Sequence, residues 1–248
     1  MKTARDFMLD IPVLKVTDGI TKARQILRDD RFREIYVADQ KKNLLGYIDI
    51  TDALRVVATR SNVTVEGFVK TAASAGPEDS VETVVKAMRE SGTDSAAIVD
   101  GNRHILGGVL LSDLFPVIIS RNELGGRVGS RMSVKIVTAD AGATVQQAYS
   151  LIVDSGFTAF PVVKKKRLIG LVSRRDLIRS GGVRSAIAQN STMAIGDIMV
   201  TEVVTVSPGA LVADAARLMV DNDVSRLPVV DEGMLVGIID RHDVIAGL

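Results

Sequence analysis

Cysteine is absent from the 248 residues, and so is tryptophan. Without cysteine there are no disulfides, thiolate zinc sites, iron–sulfur clusters or thiol nucleophiles, and a reducing, cytoplasmic setting is expected. Aromatic residues amount to 4%, too few for the stacking platforms that hold single-stranded nucleic acid. Only two histidines occur, His104 and His242, and no His/Asp/Glu cluster surrounds either at ligand spacing, so no metal is expected. A charge of one sign is missing too: 31 basic residues face 30 acidic ones, which gives no field for a polyanion or an anionic membrane. The opening MKTARDFMLD lacks the apolar core of a secretory signal, and no later apolar run reaches membrane-spanning length. The chain is therefore expected to be complete, with neither nucleic acid nor membrane as partner.

What is present is aliphatic and periodic. Hydrophobic residues make up 46%, enough for the core of one large domain or two ordinary ones. A short apolar segment that begins with Gly and ends six residues later in Asp occurs four times. The copies are GYIDITD (Gly46 to Asp52), GGVLLSD (Gly107 to Asp113), GLVSRRD (Gly170 to Asp176) and GIIDRHD (Gly237 to Asp243). Self-similarity at a spacing near sixty residues marks a repeat protein.

The order of features upstream of each copy is also shared. In repeat 4, Val203 to Val206 reads as a strand, Ser207, Pro208 and Gly209 as a turn, and Val212, Ala215, Ala216 and Met219 fall at helical spacing. Leu227 to Val230 and Leu235 to Ile239 read as two further strands, and Asp243 is expected to open a second helix. Repeat 3 follows with a strand at Lys135 to Thr138, a helix from Val145 to Val153, strands at Ala159 to Val163 and Leu168 to Ser173, and a helix after Asp176. Thr144 and Gln147 form a capping-box pair before its first helix, and Ser80 is the expected N-cap in repeat 2. Lys164 to Arg167 reads as a solvated hairpin tip, and Met193, Met199 and Met219 as core filling.

The expected fold is thus α/β (α+β), with four β-α-β-β-α units at residues 1–60, 61–120, 127–182 and 192–248. One such unit exposes too much apolar sheet to stand alone, so sequence neighbours should pair, giving modules 1–120 and 127–248. The Gly-rich stretch from Ser120 to Arg131 separates them.

VVTVSP followed by LPVVDEGMLVGIIDRHDVI, with the weaker match FPVVKKKRLIGLVSRRDLI, resembles CBS domains. Repeat 2 departs most, having Ala97 where the later repeats have Pro161 and Pro228. The resemblance implies that repeats associate about pseudo-twofold axes into two Bateman modules. It also implies clefts that bind AMP, ADP, ATP or S-adenosylmethionine as regulatory ligands, with no cofactor required. Four repeats in one chain are similar in organisation to the gamma subunit of AMP-activated protein kinase.

A nucleotide cleft needs acceptors for ribose hydroxyls, donors for phosphate and a flat apolar slot for the base. On the resemblance, the Asp closing each motif would face the ribose, and the residue three after the motif Gly would lie near phosphate. Repeat 3 is the first candidate, with Ser173, Arg174, Arg175 and Asp176, Thr138, Thr158 and Ala159 bordering the base, and Phe157 covering it; the alternative is that Asp176 merely caps a helix. Repeat 4 offers Thr205, Val224, Ser225, Asp240, Arg241, His242 and Asp243, with Asp240 adverse to phosphate. Repeat 1 offers Lys15, Arg33, Asp49 and Asp52, with the same difficulty at Asp49. Repeat 2, with Leu110 at the phosphate position and Asp113 closing its motif, is expected to be empty.

The leading expectation is a non-catalytic sensor whose ligand alters a regulated protein partner. The alternatives are a structural or oligomerisation module with vestigial clefts, and an enzyme of purine metabolism. No P-loop, dinucleotide-binding or nucleophile-elbow pattern supports the last. Self-association as a homodimer is expected because paired repeats present flat helical faces.

Overall fold

The computed structural model describes residues 2–27, 31–56, 62–155, 157, 159–179 and 192–246. Contacts divide the chain into two compact units, Met1–Ile118 and Ile119–Leu248. Each unit holds two repeats of the same design.

In the first unit, β1 (Val13–Lys15), α1 (Ile20–Ile26), β2 (Glu34–Ala38), β3 (Leu44–Asp49) and α2 (Ile50–Arg55) form repeat 1. Repeat 2 comprises β4 (Ser74–Ala75), α3 (Val81–Ser91), β5 (Ser95–Val99), β6 (Ile105–Leu110) and α4 (Leu111–Arg121). Each has a three-stranded sheet, β1-β2-β3 or β4-β5-β6, in which the first pair is parallel and the second an antiparallel hairpin. The hairpin tips meet at an Asn43–His104 bridge, where Nδ1 of His104 also lies 3.0 Å from Asp100.

The second unit holds repeat 3, with β7 (Ala139–Asp140), α5 (Val145–Ser155), β8 (Ala159–Lys164), β9 (Arg167–Ser173) and α6 (Arg174–Arg179). Repeat 4 has α7 (Val212–Asp221), β10 (Arg226–Asp231), β11 (Met234–Asp240) and α8 (Arg241–Ile245). The two hairpins join through Met234 and Arg167 into one sheet of order β10-β11-β9-β8-β7. The lysine-rich tip at Lys164 to Arg167 is therefore where the repeats meet as well as an exposed turn. Lys165 and Lys166 take positive φ angles of 49° and 66° there.

The four hairpins share one register up to the motif Gly, and their tips are one residue longer in repeats 1 and 2 than in repeats 3 and 4. In each, the register slips at the same point, Val37/Ala38, Ile98/Val99, Val162/Val163 and Val229/Val230, a bulge one position after the partner of the motif Gly. Helix starts follow local rules. Ser80 accepts from Thr83 N at 3.2 Å, and Thr144 and Gln147 exchange bonds of 2.8 and 3.2 Å.

Two strand expectations fail. Lys135 to Thr138 is irregular and the strand is the two residues after it; Val203 to Val206 contributes only a bridge from Val206 to Val229. These are edge segments held by one parallel neighbour, so a run of β-formers does not fix how many residues pair. The second helices begin at Arg174 and Arg241, two residues before the Asp expected to open them.

The motif glycines explain how repeats lock together. A Cβ on Gly46 would lie 2.1 Å from Lys70 O; on Gly107, 2.7 Å from Met8; on Gly170, 2.7 Å from Met199; on Gly237, 2.3 Å from Met132. The segment entering one repeat thus crosses the sheet of its neighbour, reciprocally, and the close approach tolerates no side chain. Bridges Leu9–Gly108, Tyr47–Lys70, Ser133–Ile238 and Leu171–Val200 fasten these straps. Met199 therefore covers a glycine beneath a strap, a more specific place than core filling.

Candidate functional site

Sheet register gathers the proposed residues at one end of each sheet. In repeat 3, Ala159 opposes Ser173 and Ala139 opposes Val162, so Thr138, Ala159 and Ser173 stand at the same end of β7, β8 and β9, where α6 begins. Thr138 also lines a hollow of about 430 Å³ with Ala139, Asp140, Gly142, Ala143 and Gln147, which Ala159, Ser173 and Asp176 do not border. In repeat 4, Val206 pairs with Val229, which places Thr205 at the position of Thr138. Ser225 O accepts from Arg241 N at 3.0 Å and ties the loop of Val224 and Ser225 to the start of α8.

The recurrent Asp is a capping residue in three repeats. Asp176 Oδ2 accepts from Ser173 N and Ser173 Oγ, both at 2.7 Å; Asp243 Oδ2 accepts from Asp240 N at 2.9 Å; Asp52 Oδ2 accepts from Asp49 N at 2.9 Å. Capping and ligand binding are therefore not alternatives at this position, as the sequence reading had it. One carboxylate oxygen closes the helix; the other, Oδ1, makes no hydrogen bond to described residues in Asp176 or Asp243. Repeat 2 lacks the arrangement: Leu110 is buried, Asp113 is exposed, and the Asp113 contact is a 3.4 Å bond from Ser112.

Charge distinguishes the three caps. In repeat 4 burial, and then the Asp240 carboxylate, push the Asp243 carboxyl up to about 6. In repeat 1 burial and Asp49 raise Asp52, which is 1% exposed. Lys70, on a strap, sits between that pair, 2.7 Å from Asp52 Oδ2 and 3.0 Å from Asp49 Oδ2. Burial disfavours its ammonium, but Asp52 and Asp49 outweigh burial and hold its pKa above the usual value. In repeat 3 a serine replaces the second carboxylate.

Several residues are placed otherwise than expected. Lys15 pairs with Ala38, at the end of the sheet away from Asp49, and Val13 occupies the Thr138 position, because the equivalence was read two residues too far along a three-residue strand. Arg33 is engaged across the repeats, 2.9 Å from Asp94. Arg174 and Arg241 are buried, 7% and 8% exposed, where guanidiniums open to a ligand were expected; as first residues of their helices they turn toward the core side that Ile50 and Leu111 fill in the first unit. Arg175 and His242 are half-buried. Phe157 is 46% exposed and edge-on to Phe160 at 6.1 Å. Thr158 lies outside the described residues.

Two groups escaped the sequence reading. Lys70 reaches its carboxylates only through the strap. Glu34 accepts from Asp94 N at 3.0 Å and Ser95 Oγ at 2.8 Å, while Ser95 Oγ meets Tyr36 OH at 2.6 Å, a polar seam joining repeats 1 and 2. Burial and the Asp94 charge raise the Glu34 carboxyl to about 7. Nothing local in the sequence signals either.

Four repeats with a shared hairpin and strap, three of them with the same cap, define the class of protein. The CBS domain family matches at residues 4–59, 66–120, 127–181 and 195–248, and the chain belongs to that family. Protein MJ0188 of Methanocaldococcus jannaschii is 37% identical over 120 residues, which is 48% of this chain but 43% of that protein. The CBS domain-containing protein YhcV of Bacillus subtilis is 32% identical over 117 residues, 47% of this chain and 81% of YhcV. Among solved structures, M. jannaschii MJ1225, proposed as an archaeal homologue of g-AMPK, covers 99% of both chains at a TM-score of 0.84. At 19% identity that likeness is one of fold. No helix among the described residues is long and apolar enough to cross a membrane.

Proposed function

We propose that this chain is a non-catalytic regulatory sensor that binds an adenosine-containing ligand, AMP, ADP, ATP or S-adenosylmethionine, in its second unit. Repeat 3 provides the principal site. The observation that carries the reading is the Ser173–Asp176 cap: one carboxylate oxygen is spent on the helix and the other accepts no hydrogen bond from the described residues, at the sheet end that also holds Thr138 and Ala159. A carboxylate oxygen so placed accepts the vicinal hydroxyls of a ribose. Repeat 4 shares the geometry but carries Asp240, which favours the uncharged part of a ligand over its phosphate. Repeat 2, without the cap, is structural. A regulated protein partner, self-association and a cytoplasmic setting belong to the same proposal.

Calorimetric titration of the full chain with each of the four ligands tests it. Because Asp176 also caps a helix, Asp176→Ala removes stability of about 0.5–2 kcal/mol along with any ligand contact. Asp176→Asn keeps an acceptor for Ser173 N and is the cleaner variant. The expected result is saturable binding of at least one ligand, weakened tenfold or more by Asp176→Asn. No binding of any of them at millimolar concentration, or equal affinity in the variant, contradicts the proposal.

A further inference from the structure

The four straps are equivalent in backbone but not in what they carry. Leu9, Ser133 and Val200 stand at or beside the bridge positions of repeats 2, 4 and 3; the strap over repeat 1 carries Lys70. Its backbone is fixed by reciprocal 2.8 Å bonds with Tyr47, and its ammonium bridges one oxygen each of Asp49 and Asp52. The remaining oxygens are also committed or closed off. Asp49 Oδ1 accepts from Thr51 N at 2.6 Å and Asp52 N at 3.2 Å. Asp52 Oδ1 is buried without a hydrogen-bond donor, 3.5 Å from Arg55. In repeats 3 and 4 no basic strap residue among the described residues bonds to the cap carboxylates.

We infer that Lys70 is an internal plug: its ammonium occupies the carboxylate that would otherwise hold a ligand's diol, so repeat 1 is closed by the strap that joins it to repeat 2. This rests on the sensor reading and adds to it which cleft is shut and by what. The two aspartates repel one another at the head of one helix, and a fixed cation relieves that repulsion while filling the space a sugar hydroxyl would need. Lys70 thereby decides specificity by exclusion.

Two variants that differ only at residue 70 separate the plug from a merely structural ion pair. Val13→Thr with Asp49→Ser gives repeat 1 the strand hydroxyl and the Ser-x-x-Asp cap of repeat 3 while keeping Lys70. Adding Lys70→Val supplies the strap residue of repeat 3 as well and leaves no uncompensated pair of carboxylates at the helix start. Adenosine is the probe, since it carries the diol without a phosphate. The expected result is one more adenosine bound per chain in the triple variant than in the double variant, and the extra site disappears when Asp52→Asn is added. Equal stoichiometry in double and triple variants overturns the inference. In the unaltered protein, amine-reactive labelling supplies a second measurement: Lys70 should react at least tenfold more slowly than the exposed Lys86, and labelling at the same rate also overturns it. Failure of the sensor reading looks different, because it is the loss of Asp176-dependent binding in the unaltered chain.

Discussion

At the scale of single residues, the same three-residue spacing yields three electrostatic states. Ser173 with Asp176 holds one carboxylate, Asp49 with Asp52 holds two and a lysine, and Asp240 with Asp243 holds two in close succession on a half-buried helix start. The last pair predicts a pH response. The Asp243 carboxyl is raised from 3.8 to about 6 by burial and by Asp240. A folded-state value above the unfolded one means that the group favours folding fully below the unfolded value and loses that contribution as pH rises through about 6. Asp240→Ser, which copies repeat 3, should return Asp243 toward the ordinary carboxylate range and flatten stability between about pH 4 and 6. A carboxyl-carbon NMR titration reads this directly; an unchanged midpoint in the variant contradicts the assignment of Asp240 as a cause.

At the scale of elements, the strap and the motif glycine are one device. A Cβ on Gly170 would meet Met199 Sδ at 2.7 Å and Val200 O at 2.9 Å, so Gly170→Ala must lift the strap or distort β9. Overpacking of that kind removes about 1–3 kcal/mol, and urea unfolding of the full chain should show it, whereas Gly196→Ala, with nothing within 4 Å of its Cβ, should change stability far less. Equal midpoints for the two variants would remove the strap from the account. Legibility in the sequence follows the same division. The Ser80 cap and the Thr144–Gln147 box were readable because both partners lie within one helical turn. The Gly-to-Asp spacing was readable because hairpin and helix start are contiguous. Lys70, Glu34 and the covering methionines were not readable, since each acts on a different repeat. Lys15 was misplaced because register in a three-residue parallel strand is set by its neighbour, Tyr36 to Ala38.

At the scale of the molecule, four copies of one unit have diverged in what their helix starts can do. The first unit has a cap neutralised by Lys70 and a cap missing at Leu110 and Asp113, together with the Glu34 seam. The second has two intact caps whose carboxylates meet no basic strap residue among the described residues, and buried arginines at both helix starts. Duplication supplied equivalent positions, and on the sensor reading substitution at a handful of them separates a scaffold unit from a recognition unit. A crystal structure of the chain grown with saturating AMP tests this most directly. The account predicts ribose hydroxyls within hydrogen-bonding distance of Asp176 Oδ1; nucleotide seated away from Asp176, or bound at Asp52 with Lys70 still in place, would contradict it.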